Sequence, residues 1–239
     1  MTIKSISKID TTKYGYPKHD HVYAILVEVE AAKAQQEASS LLSIVTDTSW
    51  VNNFDAIDKA SLLACAQPTI DKIINSILAK VGNKIEKEFG EYLISYSAQL
   101  TLVDTLSHKP IPLPEFYKEK ISGNPGFDFH TVSSNDIIVF GEAKYNSAKT
   151  PYDDAESQVN DFLQMIPPKQ KHIKELKELR KFTGDIPATN VINNHFGVTA
   201  AFSIHAKKAE LAMKNSIKYQ EFKKLLDNDE IYVIGVHII

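Results

Sequence analysis

The chain has 239 residues, 43% hydrophobic and 24% charged, enough for one substantial core beneath a polar surface. A net charge of −3 excludes a uniformly basic polyanion binder, the single cysteine, Cys65, excludes an internal disulfide, and no apolar run approaches the ~20 residues of a membrane span. No signal-peptide apolar region opens the chain, so a reducing cytoplasm is the expected compartment. Of 27 basic residues only Arg180 is arginine, which favours phosphate contact through point charges over bidentate reading of bases.

In chain order, His21–Glu30 reads as a strand, and Ala31–Val45, rich in Ala, Gln, Glu and Leu, as a helix. Thr46–Asn53 reads as a loop. Asp55 is placed to cap a helix through Ala66, with Pro68 expected to break or restart it. Ile70, Ile73, Ile74, Ile77 and Leu78 follow the spacing of a core-facing helical stripe. Residues 1–80 carry no chemical constellation and read as an N-terminal α/β extension packed on the remainder, with the makings of a partner-docking surface.

Lys84–Gln99 is the next expected helix, with Ile85, Phe89, Leu93 and Tyr96 facing inward and Glu88 and Glu91 off that stripe. Gly90 would let another backbone approach closely. Pro110, Pro112 and Pro114 lead into a strand expected at Glu115–Ile121, whose Lys118 and Lys120 share one face and are candidates for phosphate contact.

The chemistry concentrates in the next stretch. Asp128 follows a Pro-Gly turn, Asn135-Asp136 marks a second turn, and Ile137–Phe140 is an apolar run that ends abruptly in Gly-Glu-Ala-Lys. On a strand, Glu142 and Lys144 share a face while Ala143 turns to the core. Two adjacent antiparallel strands would then gather an Asp, a Glu and a Lys. Carboxylates held together repel unless a cation lies between them, and hard oxygen ligands suit Mg²⁺ or Mn²⁺. Asp128, Glu142 and the Ala143 carbonyl are the candidate metal ligands, and Lys144 is placed to orient or deprotonate a water. An ordinary strand pair with a surface Glu and Lys is the competing explanation. The Asp…Glu-x-Lys pattern resembles the PD-(D/E)xK nuclease superfamily, although here Pro125 and Asp128 are not adjacent.

After a polar loop containing Lys149, a further candidate phosphate contact, Tyr152–Ile166 reads as a helix carrying Gln158, stopped by Pro167-Pro168. Lys169–Lys181 is a lysine-rich helical segment in which Lys171 and Lys174 are candidate phosphate contacts. Phe196–Ile204 is a strand, Ala206–Leu226 a helix with six lysines between Lys207 and Lys224, and Ile231–Ile239 a closing buried strand. His195, His205 and His237 lack zinc-like spacing. The whole is an α/β fold: a PD-(D/E)xK nuclease-like core over residues 81–239, with a mixed central sheet flanked by helices, preceded by the extension over 1–80.

Glu88-Phe89-Gly90-Glu91-Tyr92-Leu93, Tyr117-Lys118-Glu119-Lys120-Ile121, Gly126-Phe127-Asp128 and Phe140-Gly141-Glu142-Ala143-Lys144-Tyr145 together resemble the HamA-type nuclease of the Hachiman anti-phage defence system. Lys87 stands where that family has a Gly, and Glu119 where it has a Ser. The resemblance spans roughly Lys84 to Leu163. It implies a DNA nuclease working beside a separate helicase, with Asp128 and Glu142 on the metal, Lys144 serving the water, and Glu91 or Glu88 supporting the site. The chain has no Gly-x-x-x-x-Gly-Lys-Ser/Thr loop, so an ATPase would be a separate partner. A stand-alone restriction endonuclease and a non-catalytic DNA-binding or scaffold protein are the alternatives.

Overall fold

The computed structural model describes residues 1–78, 85–117, 126–164 and 170–239, without the side chains at 76, 77 and 170–175. A mixed seven-stranded sheet runs through it in the order β1-β2-β7-β6-β5-β4-β3. Its centre is parallel: β5 (Ile138–Lys144), β6 (Gly197–Ile204), β7 (Glu230–Ile238) and β2 (Val22–Val29). Strands buried on both faces need no polar alternation, hence near-continuous runs such as Val198–Phe202 and Ile231–Ile234. β1 (Thr2–Lys8), β4 (Phe129–Val132) and β3 (Lys109–Pro110) add antiparallel edges.

Parallel neighbours require crossovers. Between β5 and β6 come α5 (Tyr152–Leu163), α6 (Gln170–Thr183) and α7 (Asp185–Ile192), and between β6 and β7 come α8 (Ala209–Lys218) and α9 (Gln220–Leu225). Helix α5 packs on β5, β6 and α9, and α8 on β7 and β2, over the core of Phe140, Val198, Phe202 and Val233. The opposite sheet face carries α3 (Lys87–Leu106) and α1 (Ala34–Thr46), over Val139, Ala143, Ala201 and Ile234. The first thirty residues are hydrogen-bonded into this sheet, since β2 pairs with β7 from Val22↔Ile231 to Val29↔Ile238.

Three expectations are corrected. Helix α2 (Ala56–Lys72) runs through Pro68 and continues as a π-helical turn at Ile73–Ile77, its apolar contacts outweighing the lost backbone hydrogen bond. Pro114–Tyr117 is the short helix α4, not the start of a strand; Pro114 suits a first helical turn, and α4 packs against α2. The helix expected over 206–226 is two, because Tyr219 takes an extended conformation between α8 and α9.

Candidate functional site

The antiparallel register sets the site. Phe129 lies opposite Gly141, and the Asp128 N–H donates to the Gly141 carbonyl at 2.9 Å, which puts Asp128 across from Glu142. A Cβ on Gly141 would stand 2.3 Å from the Phe129 ring, so only glycine lets that ring lie over the strand here. Asp128 Oδ2 accepts from the Ala143 N–H at 2.8 Å. A strand residue's N–H and C=O face the same edge, so the Ala143 carbonyl also faces the Asp128 side. The Ala143 methyl turns into the core below α3.

Glu142 is 1% exposed. Its Oε1 accepts from Lys144 Nζ at 2.5 Å; its buried Oε2 receives no hydrogen bond from an N–H or hydroxyl donor, and the Glu142 carboxyl hydrogen-bonds Asp128 when one of the two is protonated. Burial and then the Asp128 charge push the Glu142 carboxyl up to about 9, against the pull of Lys144. Burial likewise lifts Asp128 to about 6, opposed by the Ala143 N–H and Lys144 and reinforced by Glu115 and Glu91. For Lys144, burial works against the ammonium, but Glu142, Asp128 and Glu91 outweigh it and hold its pKa above the ordinary value. The three groups titrate as a set: Lys144 stays protonated, and the two carboxylates together carry less than two negative charges.

Helix α3 crosses beside this triad through Gly90. A Cβ there would stand 2.3 Å from the Tyr145 ring, and the Tyr145 hydroxyl donates to the Ile85 carbonyl at 2.9 Å. The close approach expected at Gly90 is therefore to an aromatic ring, not a backbone. Glu91, on the next residue, shifts both Asp128 and Lys144 and lines a cleft of about 970 Å³ together with Lys144, Gln158, Asp154 and Asp161. Glu88 is exposed and does not line this cleft. Of the two helical acids, the geometry brings Glu91 to the triad.

No family model matches the chain, and no curated protein matches it. What the site can do follows from its own residues.

Among the described residues no group of three or more His, Cys, Asp and Glu side chains converges as a ready-made metal cage. A hard divalent cation needs less: one or two carboxylates, with water and substrate oxygens completing its shell. Asp128, Glu142 and the Ala143 carbonyl fit that requirement, and Glu142 Oε2 is a buried acceptor to which no N–H or hydroxyl donates.

The candidate phosphate contacts fare differently. Lys149 is exposed but pairs with Asp154 at 2.9 Å and Asp153 at 3.7 Å, so a phosphate would compete with two carboxylates. Lys118 and Lys120 lie outside the described residues. Lys171 and Lys174 fall on α6, and their side chains lie outside the described set. Sequence reasoning missed Tyr92 and Glu115: burial, then the charges of Glu115 and Asp128, raises the Tyr92 phenol, which places all three in one neighbourhood. Glu115 went unrecognised because its segment reads as a strand, whereas α4 carries it toward Asp128.

Proposed function

We propose that this chain is a metal-dependent deoxyribonuclease of the PD-(D/E)xK type that hydrolyses phosphodiester bonds at the Asp128–Glu142–Lys144 site. The observation that carries the reading is the buried Glu142, one oxygen held by Lys144 and its carboxyl set against that of Asp128 across the strand pair. Two carboxyls held together in a buried site repel each other as anions, and a divalent cation between them would remove that repulsion.

Asp128, Glu142 and the Ala143 carbonyl would hold Mg²⁺ or Mn²⁺, which supplies neutralisation of the charge that develops on the phosphate. Lys144, kept as an ammonium by its carboxylate neighbours, orients the attacking water and donates to a phosphate oxygen. Its raised pKa favours that role over proton abstraction. Glu91 acts on both Lys144 and Asp128 from α3, and the cleft that it lines opens on Lys144.

The resemblance to the Hachiman nuclease supports a role in anti-phage defence under the control of a separate helicase. The test is incubation of the purified chain, with and without the product of the adjacent gene and ATP, with plasmid and linear DNA in Mg²⁺, Mn²⁺ and EDTA. Metal-dependent cutting that EDTA abolishes is expected. Sequence-specific cutting by the isolated chain would favour the restriction-enzyme reading, and binding without any cutting would favour the scaffold.

A further inference from the structure

One charged surface is not used by the site. The segment 205–226 holds six lysines and two glutamates in a chain whose net charge is −3. Lys207, Lys208, Lys214, Lys218, Lys223 and Lys224 are all exposed, and among the described residues only Lys224 has an ion-pair partner, Glu221. Positions 211, 214 and 218 recur at helical spacing, so Lys214 and Lys218 share one face of α8 with the half-exposed Leu211, while Lys207 and Lys208 lie in the turn that leads into the helix. Lys208 is the N-cap of α8, where a cation opposes the helix dipole, whereas Lys218 in the last turn complements it.

The lysine run begins beside the site. Register pairs Lys144 with Phe202, and the loop after β5 is tied to β6 by the Asn146 N–H donating to Ser203 Oγ at 3.0 Å. The Tyr145 ring packs edge-on against His205, with centroids 5.7 Å apart, and Lys207 lies two residues further on. The cleft itself is net acidic, with Glu86 and Glu91 on the α3 side and Asp154 and Asp161 on α5 against Lys87 and Lys144. A polyanion is repelled there and attracted along α8.

We propose that a nucleic-acid backbone lies along Lys207, Lys208, Lys214 and Lys218 on its way to the Asp128–Glu142–Lys144 site, its phosphates contacted by point charges without base reading. This rests on the nuclease reading above for its destination, and on α8 alone for its surface.

The test is binding of a fluorescent duplex and of a single strand, in EDTA so that nothing is cut, over a NaCl series. Two variants, K207E/K208E and K214E/K218E, are compared with K13E/K18E, an equal charge change at lysines that already pair with Asp10 and Asp20. Thermal melts check folding, which exposed lysines without partners leave unchanged; the two variants stand independently if one fails to fold. Each α8 variant is expected to bind at least about tenfold more weakly near 0.1 M salt and to lower the log K against log salt slope by roughly two, at about 0.9 per lost phosphate contact. Unchanged affinity, an equal loss in K13E/K18E, or equally tight binding of poly-L-glutamate would overturn the proposal. Salt-dependent binding through α8 by a wild-type chain that cuts no DNA in Mg²⁺ or Mn²⁺ would leave this surface standing and remove the nuclease reading.

Discussion

Glu142 and Lys144 meet at 2.5 Å on one face of β5, yet no N–H or hydroxyl donates to the second, buried Glu142 oxygen. A lone ion pair would be better served by a carboxylate with both oxygens satisfied, because each unpaired buried acceptor costs about 1–3 kcal/mol. With Asp128 across the strand, burial and mutual repulsion hold the two carboxyls partly protonated, and a bound cation would relieve both costs.

Glu142→Gln keeps the shape and removes the charge. Cleavage is expected to fall at least ~100-fold, as expected when a metal ligand is lost. The metal-free protein is expected to become more stable, not less, at alkaline pH. The sign follows from the raised folded pKa: wild type loses stability as pH rises from the ordinary glutamate value through about 9, and the amide does not. Urea titrations in EDTA at pH 6 and 9 check this; a destabilised variant at pH 9 would contradict it.

Lys144→Ala leaves Glu142 and Asp128 without their cation. It is expected to abolish cleavage and to destabilise the metal-free fold by roughly 1–3 kcal/mol above pH 8, and by less at acid pH, where Glu142 and then Asp128 hold their protons. Adding Glu142→Gln should recover most of that loss. Additive destabilisation in the double variant would mean that the two side chains are not coupled.

How much of this was legible in sequence depended on where each residue's environment is decided. β5 announced itself because an apolar run breaking into Glu-x-Lys constrains both faces at once, and β6 and β7 did so because burial on both sides leaves nothing polar in them. β1 did not: Thr2–Lys8 is an exposed edge strand whose Lys, Ser and Thr residues read like a loop. Glu88 and Glu91 are neighbours on one helix surface, and no local pattern separates them. The tertiary fit of Gly90 against Tyr145 does, by setting the rotation of α3 over β5.

That fit is itself open to test. Gly90→Ala forces a methyl into the Tyr145 ring, with overpacking expected to cost about 1–3 kcal/mol and to move α3, and with it Glu91, away from Lys144. Chemical denaturation and cleavage rate should fall together. In Gly90→Ala/Tyr145→Ala the steric term vanishes, so the double variant should be less destabilised than the sum of the singles.

Glu156, fully buried on α5, accepts from Ser216 Oγ on α8 with one oxygen and has no partner for the other. Burial lifts its carboxyl to about 8, helped by the charges of Asp153 and Glu221 and opposed by Ser216. Its contribution is therefore intact at acid pH and lost as pH rises toward and past 8. Glu156→Gln should leave stability at pH 5 nearly unchanged and raise it at pH 9 by on the order of 1–3 kcal/mol, read from melts at the two pH values. Equal effects at both would show that ionisation is not what burial opposes.

Metal and protons compete for the same oxygens at the main site. Without a cation, Asp128 and Glu142 are held partly protonated by burial and by each other. Binding a divalent cation requires both as carboxylates, so loading must expel protons, and apparent affinity must rise with pH. The rise should extend above the range where ordinary carboxylates titrate, because burial and neighbouring acidic charge raise both groups. Ca²⁺, which binds oxygen ligands and is expected not to support turnover, isolates binding from cutting. Its stabilisation of the fold follows RT ln(1 + [L]/Kd), so at fixed Ca²⁺ the melting shift over EDTA should be small at pH 6 and grow at pH 8. Titration calorimetry in buffers of different ionisation enthalpy counts the protons released, with a value between zero and two expected at pH 7. In Glu142→Gln the release should shrink and the pH dependence should retreat toward that of Asp128 alone. A Ca²⁺ shift independent of pH, or no shift at any pH in wild type, would remove Asp128 and Glu142 as a cation site.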